Sequence, residues 1–284
     1  MDHEADLFGD TLSNVLEFVG SRMKDSGGFG ATPKLPATVE DTYHSLRIIS
    51  SVAPVVQADF AKELRNWPAL HGFLSRYLDK DLELGPRGIF QLLWSMDYCG
   101  ILPAKRDIFA ILDANLLVNP KRENLYFALR TIMELIKPRH ASELPVVLSK
   151  ARISGLFSGI LKKRLVDLYL DYNLGWEMIP LPEAAQWFAA CQNPDGGFGF
   201  MPGTTSYIEN CHYALVALVM LGVEPADRTS CKKFVMGCRT RSGGFSRNSN
   251  AAPFLDATWH AIKSLLILEG RDTFKAFPPH DLWG

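Results

Sequence analysis

Apolar positions recur along this chain with the three- and four-residue spacing of amphipathic helices, from near one end to near the other. Stretches such as LSNVLEFVGSRM, EAAQWFAACQ and CKKFVMGCR are each followed by a glycine pair and phenylalanine, and then by another helical stretch. The alternation that marks strands is nearly absent. The middle of the chain fits three more helical pairs: Phe60 to Tyr77 with Gly88 to Tyr98, Lys105 to Leu117 with Arg122 to Ile136, and Ala141 to Arg152 with Leu156 to Tyr172. Pro or Gly punctuates the halves of each pair.

Three segments share one register. They begin SGGF at Ser26, DGGF at Asp195 and SGGF at Ser242. Counted from Phe29, Phe198 and Phe245, an acid follows 11 residues on: Glu40, Glu209 and Asp256. Thr42, Cys211 and Thr258 stand at 13, the rings of Tyr43, His212 and Trp259 come next, and Leu46, Leu215 and Ile262 stand at 17. The last two copies are 47 residues apart, so six such units fill 284 residues. The unit is helix, loop, helix. Six sequential pairs predict an all-α (α/α)6 toroid, a double barrel of helical hairpins in one domain over 1–284, although an open solenoid would use the same units.

Composition narrows the function. The net charge is −1 and the apolar fraction 47%, which argues for a folded core and against a nucleic-acid platform. The five cysteines form no CxxC pair, so neither a zinc ribbon nor a thioredoxin motif is expected. The first ten residues, MDHEADLFGD, do not read as a signal peptide, and no apolar run approaches a transmembrane span. A cytoplasmic protein is the expectation. The glycine pairs lack the GK[ST] ending of a phosphate-binding P-loop and read as tight turns that carry a buried phenylalanine.

Gln192-Asn193-Pro194-Asp195-Gly196-Gly197-Phe198, with Phe188 upstream, resembles the QW motif of the prenyltransferase and squalene cyclase superfamily. The other two copies keep the glycines and the Phe but have Met23 and Arg239 in place of Gln. The resemblance implies a toroid whose central apolar cavity holds an isoprenoid chain. It is closest to the β subunits of protein prenyltransferases, which work with an α-type protein subunit. Tyr43, Phe90, Trp94, Tyr126, Phe127, Phe157, Tyr213 and Trp259 fall on the expected inner helices and are candidates to line such a cavity. Each also suits plain core packing.

The chemistry is less complete. Class II cyclases of the superfamily protonate an alkene with a DxDD acid, which is absent here; Asp79-Lys80-Asp81-Leu82-Glu83 reads as a solvated charge cluster. A cyclase would need a non-standard acid, for which Glu40, Glu209 and Asp256 are the candidates. The β subunits hold zinc with Asp-x-Cys and a later His, and Glu209-Asn210-Cys211 resembles that pair, with His260 as a possible third ligand. An acid at a helix start also caps backbone N–H groups, and Cys211 also reads as a buried small residue in the place of Thr42 and Thr258. For a diphosphate, Lys121 and Arg122 precede an expected inner helix and Arg87 stands before another, while Lys162-Lys163-Arg164 reads as a solvated face. Three functions remain open: prenyl transfer from a prenyl diphosphate, terpene cyclisation, and a non-catalytic toroid that binds lipid or protein.

Overall fold

In a computed structural model the described residues are 2–78, 84–116, 127–128, 130–131, 134–135, 181–220 and 222–271. They contain ten named helices and no strand beyond isolated bridges. The helices are α1 (Asp2–Gly20), α2 (Val39–Val56), α3 (Phe60–Arg65), α4 (Pro68–Ser75), α5 (Pro86–Tyr98), α6 (Lys105–Leu116), α7 (Leu181–Ala190), α8 (Ile208–Met220), α9 (Arg228–Gly237) and α10 (Leu255–Leu268). The fold is all-α, as the periodicity predicts. No described helix is long and apolar enough to cross a membrane.

The expected helix over Phe60 to Tyr77 is two helices, α3 and α4. Pro68 is the cause. It opens α4 and holds Trp67 extended at ψ 112°, because a residue before proline avoids the helical region. The expected pair of Ala141 to Arg152 and Leu156 to Tyr172 lies outside the described residues, as does most of Arg122 to Ile136.

Chain contacts divide the molecule into two compact units. The first comprises residues 1–21, 47–57 and 161–277, the second 22–46, 58–160 and 278–284. In both, the helix after a loop is enclosed more fully than the helix before one. In α10, 12 of 14 residues are buried; in α9, only Cys231 and Val235 are. A helix buried on all sides stands inside its unit, and one with a single apolar stripe lies over it.

The three glycine loops have one structure. Met23, Gln192 and Arg239 each bridge to the phenylalanine of their own loop, and Phe29, Phe198 and Phe245 are fully buried. Each ring contributes about 1.5–3 kcal/mol by leaving water. The first glycine of each loop has positive φ: 91° at Gly27, 86° at Gly196 and 90° at Gly243. A Cβ there would lie 2.0 Å from the Ala69 carbonyl on α4, 2.2 Å from Ser230 on α9 and 2.4 Å from the Asn14 carbonyl on α1. The glycines therefore both turn the chain and let each loop rest directly on a helix of another pair. For the last loop that helix is the first one in the sequence. Gln192 adds hydrogen bonds to the next pair: its Nε2 donates to the Asp227 carbonyl (2.8 Å) and its Oε1 accepts from the Asp227 N–H (2.9 Å). At the same loop position, Arg239 Nη1 donates to Thr11 Oγ1 on α1 at 3.1 Å.

Candidate functional site

The helices that follow the loops, α2, α8 and α10, align residue by residue, and α5 joins the same alignment from its Pro86 start. Their second residues are Glu40, Glu209, Asp256 and Arg87. Neither glutamate caps its helix as the sequence suggests. Thr38 does that work for α2, its Oγ1 accepting the Asp41 N–H at 3.0 Å and donating to the Asp41 carboxylate at 2.7 Å. Glu40 instead pairs with Arg87 at 2.8 Å, with both side chains about half exposed (53% and 50%). Glu209 pairs with Arg247 through both Nε and Nη2, and the same guanidinium lies over the Tyr207 ring at 4.2 Å. The hydrogen bond to Glu209 raises the Arg247 pKa above its ordinary value. Asp256 Oδ1 accepts the N–H of Ala257 at 2.7 Å.

The fourth residues are Thr42, Cys211, Thr258 and Ile89. The buried Phe29 N–H donates to Thr42 Oγ1 at 3.0 Å, and the Phe245 N–H to Thr258 Oγ1 at 2.9 Å. Cys211, at the same position, is fully buried. Burial and the neighbouring Cys231 thiol push the Cys211 pKa up. Thr42 and Thr258 are thus latches between a loop and the helix after it.

This bears on zinc. The three ligands that the resemblance implies stand as follows: Glu209 pairs with Arg247, Cys211 is fully buried, and His260 Nδ1 lies 2.8 Å from His212 Nδ1. Among the described residues no three His, Cys, Asp or Glu side chains form a group suited to a metal ion. Glu209, Cys211 and His260 are thus not gathered into one group here.

The fifth residues are all rings: Tyr43, Phe90, His212 and Trp259. In the second unit Tyr43 meets Phe90 edge-on at 5.8 Å and Trp94 at 5.4 Å, and Phe90 continues to Phe127 at 5.7 Å. The Arg130 guanidinium lies 4.4 Å from the Phe90 centroid. In the first unit His212 meets Trp259 edge-on at 4.9 Å, and Tyr213 meets His260 at 5.2 Å. Arg47 lies over Trp259 at 5.6 Å. The structure therefore gathers Tyr43 with Trp94, and Tyr213 with Trp259 and His260, into two aromatic clusters. Arg87 goes to Glu40. Lys121, Arg122, Tyr126 and Phe157 lie outside the described residues, as do 79–83 and 162–164.

Sequence reasoning missed two features. One is the contact between His212 and His260, which are about one repeat apart. The other is the sixth position of these helices, occupied by His44, Gln91, Tyr213 and His260, each able to form hydrogen bonds. Aligning α5 on its proline start, rather than on a missing glycine loop, exposes that layer.

Comparison with known families gives one finding. The model of the prenyltransferase alpha-alpha toroid domain matches residues 4–92, 168–208, 179–252 and 206–282, well over half of the chain. No curated protein matches. The overlapping matches follow the repeats. Its repeats, its all-helical fold and these matches place the chain in the prenyltransferase alpha-alpha toroid domain family.

Proposed function

We propose that the protein binds a prenyl diphosphate with its isoprenoid chain against aromatic side chains, and transfers the prenyl group to an acceptor. The observation that carries this reading is the ring at the fifth position of α2, α5, α8 and α10, in a chain of this family. Each ring lies one turn inside its helix, past the charged second position. An isoprenoid chain gains about 25 cal/mol for each Å² of apolar surface it buries. Ring faces also attract an allylic cation, by about 0.5–2 kcal/mol apiece. The diphosphate calls for cations, and Lys121 and Arg122 are the candidates for that end. No metal-dependent step is part of the proposal, and an α-type partner subunit remains part of it.

Pairing of Glu40 and Glu209 with arginine favours a second reading, in which the protein binds the isoprenoid without turning it over. Incubation with labelled farnesyl or geranylgeranyl diphosphate, with and without a cysteine-containing peptide, separates the two. Labelled peptide and released diphosphate support transfer. Binding with no release over hours supports the second reading. Cyclic products formed without an acceptor would replace both with a cyclase.

A further inference from the structure

A cleft of about 250 Å³ opens at the C-terminal end of α8, away from Glu209 at its start. Every residue that lines it belongs to the first unit. Leu215 and Leu218 of α8 and Ile267 and Leu268 of α10 are its buried walls. Val219 and Val223 stand at its mouth, 47% and 39% exposed. Two apolar side chains are thus left in water at the edge of an apolar hollow.

The turns that end the two helices leave little here for water to bond. The N–H of Gly222 donates to the Val219 carbonyl at 3.1 Å and that of Val223 to the Leu218 carbonyl at 2.9 Å, around a Gly222 φ of 67°. After α10, the N–H groups of Gly270 and Arg271 donate to the carbonyls of Ile267 (3.0 Å) and Leu266 (2.8 Å). Water in such a hollow is poorly held, and an apolar chain that displaces it gains by burying both its own surface and the two valines.

The mouth also carries a charge pair. Arg228 Nη2 donates to the Leu268 carbonyl, and Nη1 donates to Glu224 Oε2 at 2.6 Å. The guanidinium is thereby anchored to the end of α10, with its side chain 43% exposed, while the Glu224 side chain is 74% exposed. A ligand cation would meet a carboxylate that is already paired. A ligand carboxylate can take the place of Glu224, because an ion pair this exposed holds its partner only weakly, and a guanidinium fork suits a carboxylate. Glu224 itself shows that a carboxylate fits this position.

We propose that the cleft is a further binding site, for a medium-chain fatty acid whose alkyl chain lies against Leu215, Leu218 and Ile267 and whose carboxylate replaces Glu224 on Arg228. A chain of roughly eight carbons matches the volume, since a methylene is close to a water molecule in size. None of the rings assigned to the isoprenoid lines this cleft, so the site is independent of that reading.

Calorimetric titration of the full chain with octanoate and with octylammonium, below their micelle concentrations, tests the site. Wild type is expected to take up one octanoate per chain and to show no saturable uptake of octylammonium. Glu224→Gln removes the competing carboxylate and is expected to tighten octanoate about threefold, and Arg228→Gln to weaken it at least tenfold. Val219→Phe and Val223→Phe, both at part-exposed positions, fill the mouth and are expected to abolish binding at an unchanged melting temperature. Wild-type affinity in both phenylalanine variants, or in Glu224→Gln, overturns the proposal. So does equal uptake of the two ions, or no saturable binding of octanoate. Displacement of octanoate by farnesyl diphosphate would put the fatty acid in the isoprenoid site, overturning this proposal and leaving isoprenoid binding standing.

Discussion

Replacing Thr258 by valine tests whether the fourth position of these helices is a structural latch. Thr258 is fully buried, and its Oγ1 accepts the Phe245 N–H at 2.9 Å and donates to the Phe254 carbonyl at 2.7 Å. Valine has nearly the same shape, so no cavity opens. The Phe254 carbonyl still accepts the Thr258 N–H at 2.9 Å, so it is not orphaned. The Phe245 N–H is orphaned, at a cost of about 1–3 kcal/mol, and the added methyl returns up to ~0.8 kcal/mol. The expected net loss is about 1–2 kcal/mol. Thr258→Ser keeps the oxygen and loses only a methyl, about 1 kcal/mol. Cys211→Thr installs the residue of the sister repeats and is expected to change stability by less than about 1 kcal/mol. Urea unfolding followed by tryptophan fluorescence reports all three, with midpoints compared at an unchanged slope. A Thr258→Val protein as stable as wild type would refute the latch. So would a Cys211→Thr protein that loses several kcal/mol.

Three further outcomes follow from the same geometry. Gly243→Ala places a Cβ 2.4 Å from the Asn14 carbonyl at a φ of 90°, and should destabilise the first unit by at least about 2 kcal/mol in thermal or urea melts. Glu40→Gln breaks a half-exposed ion pair with Arg87 and should cost under about 1 kcal/mol, an effect that shrinks further in 1 M salt. Burial pushes the thiols of Cys99 and Cys191 up to about 12 and that of Cys238 to about 11. These pKa values are raised on folding, so their contribution to stability is complete below about pH 8.5, the unfolded value, and is lost as pH climbs toward 12. Midpoints measured from pH 8 to 11 should fall, and native thiols should label slowly with disulfide reagents at pH 8.

The loops were legible because glycine leaves a plain mark where the backbone must take positive φ and touch another helix. Three copies in one register made the repeat readable without any contact being known. Apolar spacing placed α5 and α6 to within two residues, but α1 begins ten residues before the stretch read from Leu12, and at Pro68 a single stretch hid two helices. The site was harder to read. Glu40 and Arg87 are one repeat apart, and nothing local shows that each is the other's partner. Cys211 drew a metal reading from its neighbour Glu209, while its register with Thr42 and Thr258 read as that of a buried small residue, and it is fully buried. Gln91 stayed hidden because the loop before α5 has no glycine pair to set its count.

Equilibrium dialysis of the purified full chain against labelled farnesyl and geranylgeranyl diphosphate tests the central claim most directly. Saturable binding of one molecule per chain, displaced by an unlabelled isoprenoid but not by inorganic diphosphate alone, is the predicted result. No saturable uptake of either chain length, by a protein whose melt is cooperative, would contradict it.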